Sequence, residues 1–226
     1  DGLPIVSSLA TVYGLNGIPT SLIKQVEIIK GPSSTLYGTE AVAGIINIIT
    51  KSPNDVSKYE LDTYASSHLE KNIDFSFAPK TKKFKMLFSG NYYNLNHFID
   101  DNNDTFSDVP LSERITLFNK WSFDRKSKKI LSFSLKAYNE NRSGGEKDWF
   151  NEKIRGDSIE YGESIWTDRL EFSGSYELPF INNLRLDASY SYHFQDSYYG
   201  NTRFEAMQKI YFSNLIWNKK IGHNHD

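Results

Sequence analysis

The 226 residues carry 26 basic and 28 acidic side chains, a net charge of −2. That balance gives no general reason to expect nucleic acid or an anionic membrane surface as a partner. The absence of cysteine excludes disulfides and thiolate metal sites, and no apolar run approaches the roughly 20 residues of a membrane helix. Aromatic residues make up 15%, with 14 Tyr and 15 Phe, yet mean hydropathy is negative. A barrel that alternates lipid-facing rings with lumen-facing polar groups has both properties at once. No signal peptide is visible, and the start at Asp1 and the end at Asp226 both read as cuts.

Residues 1–52 are small and apolar, rich in Gly, Ile, Val and Ser. Residues 7–18 read SSLATVYGLNGI, a Gly-containing turn in which Thr11, Tyr13 and Asn16 offer hydrogen bonds and Gly14 lets a backbone approach closely. An ordinary hairpin would look the same. Residues 26–30 read as a short strand that Gly31-Pro32 stops, because Pro cannot continue a ladder. Residues 33–37 could form a helical turn, with Gly38 as a left-handed exit. Residues 44–50 are nearly all apolar and β-branched, the pattern of a strand buried on both faces. Such a unit needs something around it, which a barrel lumen would supply.

After Pro53 the chain changes character. Strands are expected near 59–67, 72–78, 84–95, 114–124, 130–138, 165–178, 184–195 and 205–217. In 184–195, Leu184, Leu186, Ala188, Tyr190, Tyr192 and Phe194 share one face, and the residues between them are polar apart from none. Period two is the strand signature, since successive side chains point to opposite faces. The connectors 79–83, 125–129 and 179–183 are tight, whereas 96–113 and 141–164 are long. Outer-membrane barrels show that alternation, with short periplasmic turns and long extracellular loops. Trp121, Phe123, Trp166, Tyr198, Tyr199 and Trp217 lie near strand ends, where interfacial girdles place rings.

Residues 23–51 read IKQVEIIKGPSSTLYGTEAVAGIINIITK. The stretch closely resembles the end of the plug domain of TonB-dependent receptors, which carries V-E-x-x-[RK]-G-P, then L-Y-G, then G-x-I-N-I-I-T-K. Here these are Val26, Glu27, Lys30, Gly31 and Pro32, then Leu36, Tyr37 and Gly38, then Gly44 through Asn47 to Lys51. The opening Asp1-Gly2-Leu3-Pro4 resembles the family's D-G-x-P strand. One departure is Lys30, where the family usually has Arg; Lys cannot make the bidentate carboxylate pairs that Arg can. In style the plug stretch and residues 141–161 look like receptors of Bacteroidetes.

The resemblance implies an all-β membrane fold. Residues 1–52 would be the C-terminal part of the plug, and 53–226 about eight antiparallel strands of a 22-stranded barrel whose lumen the plug fills. It implies a Gram-negative outer-membrane location among lipids. It also implies energised import of a scarce nutrient, cobalamin or a ferric siderophore, powered through TonB with ExbB and ExbD. Substrate would be caught between outward plug loops, here Thr11, Tyr13, Gly14 and Asn16, and the extracellular barrel loops. Plug-to-wall contact is expected from the signature residues Glu27, Lys30, Gly31, Pro32, Tyr37, Gly38, Gly44 and Asn47.

In the long loop 100–108, DDNNDTFSD, Asp100, Asn102, Asp104 and Asp108 have the i, i+2, i+4 and ninth-position spacing of a calcium loop. The Gly and terminal Glu of an EF-hand are absent, and a solvated acidic loop is the plain alternative. Cobalamin receptors of the family bind calcium through acidic loops between early strands, so structural calcium is an expectation here; no other cofactor is required. Loop 141–164 carries Arg142, Gly144, Gly145, Trp149 and Tyr161, groups that could stack on a bulky ligand or simply cover the surface. No G-x-S-x-G, H-E-x-x-H or P-loop occurs, so no enzyme is expected. The rival readings are a passive porin, which has no reason to contain residues 45–51, and a soluble carbohydrate-binding β-protein, whose ring-bearing faces would aggregate in water.

Overall fold

The computed structural model describes residues 9, 18–31, 44–152 and 155–219. The plug-side part is a short 3-10 turn, Thr20–Leu22, followed by an antiparallel hairpin of β1 (Ile23–Lys30) and β2 (Gly44–Thr50). Gly44 closes the ladder opposite Lys30 at φ +132°, and a Cβ there would lie 2.5 Å from the Ile29 carbonyl oxygen. Only glycine fits that close approach.

A second sheet holds eight strands in chain order, each antiparallel to the next. They are β3 (Tyr59–Ala65), β4 (Lys71–Phe77), β5 (Phe84–Leu95), β6 (Leu111–Phe123), β7 (Leu131–Gly145), β8 (Gly162–Glu177), β9 (Leu184–Tyr199) and β10 (Thr202–Trp217). A six-residue helix, α1 (Lys147–Glu152), lies between β7 and β8. Turns 78–83, 124–130 and 178–183 are short and share one end of the sheet; loops 96–110 and 146–161 share the other. Two connections depart from the alternation: β3–β4 and β9–β10 lie at the long-loop end, yet use only residues 66–70 and Gly200–Asn201.

The polarity of the sheet is the reverse of a soluble protein's. Leu117, Phe172, Tyr211 and Leu215 stand 46–77% exposed on one face. On the other, Thr116, Arg169, His193 and Ser197 are no more than 5% exposed. Apolar-out and polar-in is the barrel pattern of a wall between lipid and lumen.

The inner face meets the plug in a small apolar core of Leu22, Val56, Ala78, Leu87 and Phe118. Lys120 Nζ donates to Thr50 Oγ1 at 2.9 Å, and the Lys51 amide to the Leu22 carbonyl at 2.8 Å. The hairpin itself is not buried on both faces as its sequence suggests: Ile28 is 66% and Ile46 58% exposed. The sheet covers one side of the hairpin and is open at β3 and β10, so the other side has no wall among the described residues.

Candidate functional site: plug hairpin, lumen cavity and long loops

The signature residues organise the hairpin from within. Asn47 Nδ2 donates to Glu27 Oε2 at 2.9 Å across the β1–β2 register, and Gln25 Nε2 to Glu27 Oε1 at 3.0 Å. Lys30 ends β1 exposed and makes no ion pair among the described residues. Gly31, at φ +88° with open space around it, supplies the left-handed exit from β1. Pro32, Tyr37 and Gly38 lie outside the described residues, as do Thr11, Tyr13, Gly14 and Asn16. Among the described residues, contact between plug and wall includes Leu22 and Thr50, and Lys24 is bonded to Asp55 Oδ1 at 2.8 Å. Lys24 and Ser52 hold the Asp55 carboxyl well below the usual carboxylate range.

Between the turn 18–21 and strands β3–β6 lies a polar cavity of about 540 Å³. Its wall is built from inward positions spaced by two: Asp62 and Tyr64, Asn72 and Asp74, Asn91 and Tyr93, with Arg114. Asn72 Nδ2 donates to Asp74 at 2.7 Å, and Asn91 Nδ2 to Asn72 Oδ1 at 2.8 Å and Asp74 Oδ1 at 3.0 Å. Arg114 stacks 4.6 Å from the Tyr93 ring centre. Beside it, Glu140 accepts from Tyr138 at 2.6 Å and Ser112 at 2.9 Å. A smaller cavity of about 100 Å³ separates Ile18, Pro19 and Leu22 from Lys136, Arg169 and Glu171. Glu171 binds Lys136 at 2.8 Å and also Arg169, so it is the shared anion of a triad on the inner wall. These inward clusters escape sequence reading because their members are scattered over six strands; the only signal is a polar residue at every second position.

The two long loops fold together into one cap. Phe106 bridges to Glu146, the Lys147 amide donates to the Thr105 carbonyl at 2.9 Å, and Phe98 packs edge-on to Phe150 with centres 5.3 Å apart. Trp149 is not presented to a ligand: it is 5% exposed, and its ring sits where a Cβ on Gly162 would be. The rings the cap leaves outward are Phe106 and Tyr161, 40% and 41% exposed. Arg155 folds over the outer wall, 3.6 Å from the Trp166 ring centre and 4.8 Å from that of Tyr198, with Asp196 as its anion.

In loop 100–108 the predicted calcium ligands turn to the loop's own backbone. Asp100 accepts from the amides of Asp104 and Thr105, Asp104 from Phe106, Asn102 from Asp104, and Asp108 from Asp101. Among the described residues no group of three or more His, Cys, Asp or Glu is placed to hold a metal ion. A calcium ion at this loop would have to coordinate through the lone pairs that these backbone bonds leave on the carboxylates.

Comparison with known proteins identifies the class. Residues 1–45 match the TonB-dependent receptor plug domain. With the plug hairpin seated on a polar-in, apolar-out wall, the chain is similar to the TonB-dependent receptors, outer-membrane proteins of Gram-negative bacteria. It is 41% identical over 76 residues to the vitamin B12 transporter BtuB of Vibrio vulnificus, a match covering 34% of this chain and 12% of that protein. It is 34% identical over 65 residues to the ferric enterobactin receptor PirA of Pseudomonas aeruginosa, covering 24% and 9%. These matches take in about a tenth of the relatives' own length. The crystal structure of the ferric-catecholate import receptor Fiu from E. coli superposes with a TM-score of 0.54 over 86% of this chain and 35% of that one, at 15% identity. That likeness is one of fold.

Proposed function

We propose that this chain is part of a receptor that captures a scarce nutrient from outside the cell and imports it with energy drawn through TonB, ExbB and ExbD. The observation that carries the reading is the signature hairpin seated by Leu22 and Thr50 against a polar inner wall. A passive porin would leave that lumen open, and a soluble carbohydrate-binding protein would not turn Leu117 and Phe172 outward. Ligand binds at the long-loop end. TonB then pulls on the plug from the periplasm, and rearrangement of the plug opens a path; the protein's own residues bind and move but break no bond.

Cobalamin and ferric siderophores are the two cargo classes the relatives suggest, and the electrostatics of this chain favour cobalamin. Loop 96–110 has four aspartates and no Lys or Arg, and 146–161 has five acids against three bases. An acidic rim repels a polyanionic ferric catecholate and is indifferent to a neutral cargo. The test is equilibrium binding of cyanocobalamin to the full-length receptor in detergent, with calcium and then with chelator. Tight binding is expected, and weakening on chelation would assign calcium to Asp100, Asn102, Asp104 and Asp108. No binding in either condition would discard cobalamin and leave the ferric siderophore.

A further inference from the structure

The near-zero net charge conceals a separation of charge along the strand axis. The long-loop end is acidic, as described above. At the opposite end, turns 78–83 and 124–130 carry seven cations and a single acid, Asp124, which is paired with Lys85 at 3.2 Å. The other carboxylates near this rim are also engaged: Asp55 with Lys24, Glu60 with Lys51, and Glu177 with the Ile130 amide. Lys82, Lys83, Lys126 and Lys128 are exposed, and their side chains make no ion pair or hydrogen bond among the described residues. Four free ammonium groups thus face solvent on two neighbouring turns.

Immediately inward of these turns, on the outer face, lies a belt of packed rings. Phe84 and Trp121 have centres 5.5 Å apart, Trp121 and Phe133 5.9 Å, Phe123 and Phe133 5.8 Å, and Tyr59 and Phe77 5.0 Å. Two cations already lean onto the same belt: Arg125 lies 4.8 Å from the Tyr176 ring centre and Lys219 5.1 Å from that of Trp217. Aromatic belts sit at headgroup level. The free lysines, one to five residues beyond it on flexible stems, therefore stand where lipid phosphates are.

We propose that the rim formed by turns 78–83 and 124–130 binds the phosphates of anionic phospholipids in the periplasmic leaflet, with Lys82, Lys83, Lys126 and Lys128 as the contacting groups. The proposal rests on the orientation assumed in the receptor reading, in which short turns face the periplasm. Its physical basis is Coulombic and directionless, so it calls for negative charge on the lipid and no particular headgroup shape. Basic residues at an anionic surface strengthen attachment by about fivefold each, and four on one rim bias the annular lipid strongly.

The test is native mass spectrometry of the full-length receptor titrated with phosphatidylglycerol or phosphatidylcholine micelles. Wild type is expected to retain phosphatidylglycerol at least tenfold better, with the excess lost in high salt. Lys82→Gln/Lys83→Gln/Lys126→Gln/Lys128→Gln should bring it down to the phosphatidylcholine level, while Lys147→Gln at the opposite end leaves it unchanged. Inorganic phosphate at millimolar concentration should not displace the lipid; displacement would reassign the rim to free phosphate. Equal retention of the two lipids, or an unaltered quadruple variant, overturns the proposal. Binding of polyglutamate without phosphatidylglycerol would overturn it in favour of an acidic protein segment. Labelling of Lys126→Cys in intact cells with an impermeant maleimide separates the two premises. No labelling is expected; labelling would reverse the orientation, and the rim could then not be periplasmic even with lipid bound in vitro.

Discussion

Gly162 opens β8 directly beneath the Trp149 ring, and a Cβ built there would fall 2.1 Å from a ring carbon. Neither partner can yield easily, because the ring is 5% exposed and the backbone at Gly162 pairs with Gly145. Gly162→Ala should therefore expel the indole or shift the strand end, costing about 1–3 kcal/mol in the overpacking range. The check is emission from Trp149, isolated by subtracting the Trp149→Phe spectrum: a red shift is expected in Gly162→Ala. An unshifted spectrum would mean the cap tolerates the methyl group and that Trp149 is not its core. The sequence shows Trp149 as a ring in a long loop and Gly162 as a loose glycine. Nothing in spacing links two residues thirteen apart, which is why the sequence leaves the tryptophan open between ligand contact and surface cover until its neighbours are seen.

At the scale of elements, the strands whose apolar and polar residues alternate strictly are legible almost to the residue: 84–95 is the expected and the observed range of β5. The long-loop ends are not. β7 runs on to Gly145 and β8 begins at Gly162, because Glu113 still pairs with Asn141 and Gly144 with Glu163. Beyond the lipid both faces meet water, so the alternation fades while the backbone ladder continues. Two predictions belong here. In the wall, Lys136 and Arg169 are 7% and 5% exposed and share one anion. Glu171→Gln leaves two buried cations uncompensated, for which a loss of about 3–5 kcal/mol is expected in urea unfolding of the receptor. If Glu171→Gln matches wild type, water in the small cavity must already screen the triad. In the linker, the Asp55 carboxyl is depressed by Lys24 first and Ser52 second. A depressed acid stabilises above its ordinary pKa, near 4, and that contribution disappears as pH falls through the folded value. Both side chains are partly exposed, so about 1 kcal/mol at most is involved. The Ser52 amide, which donates to Asp55 Oδ2 at 2.8 Å, should exchange faster in Asp55→Asn than in wild type at pH 6. After correction for intrinsic rates, the gap should narrow steadily below pH 4. A gap independent of pH would show that the ion pair is not its source.

For the molecule as a whole, the decisive property is which face of the wall meets lipid, since every assignment of loop, lumen and rim depends on it. A charge placed on a lipid face has a cost set by depth: about 2–4 kcal/mol for Arg at the bilayer midplane, and roughly 0–1 near the interface. A charge disrupting a packed protein core has no such depth dependence. β7 offers both depths on one face, because Leu135 and Asn141 both point outward, Leu135 mid-strand and Asn141 near the long loops. The inward neighbours Lys136 and Glu140 are already charged and buried, so tolerance of charge by this strand as such is not in question. Leu135→Arg should therefore sharply reduce the folded fraction of full-length receptor in lipid vesicles, read as heat-modifiable mobility on gels, while Asn141→Arg leaves it near wild type. Similar losses at both positions would point to packing against another protein surface. Normal folding of Leu135→Arg would mean that the outward face of β7 does not meet lipid, and the apolar exterior of Leu117, Leu135 and Phe172 would need a protein partner to cover it.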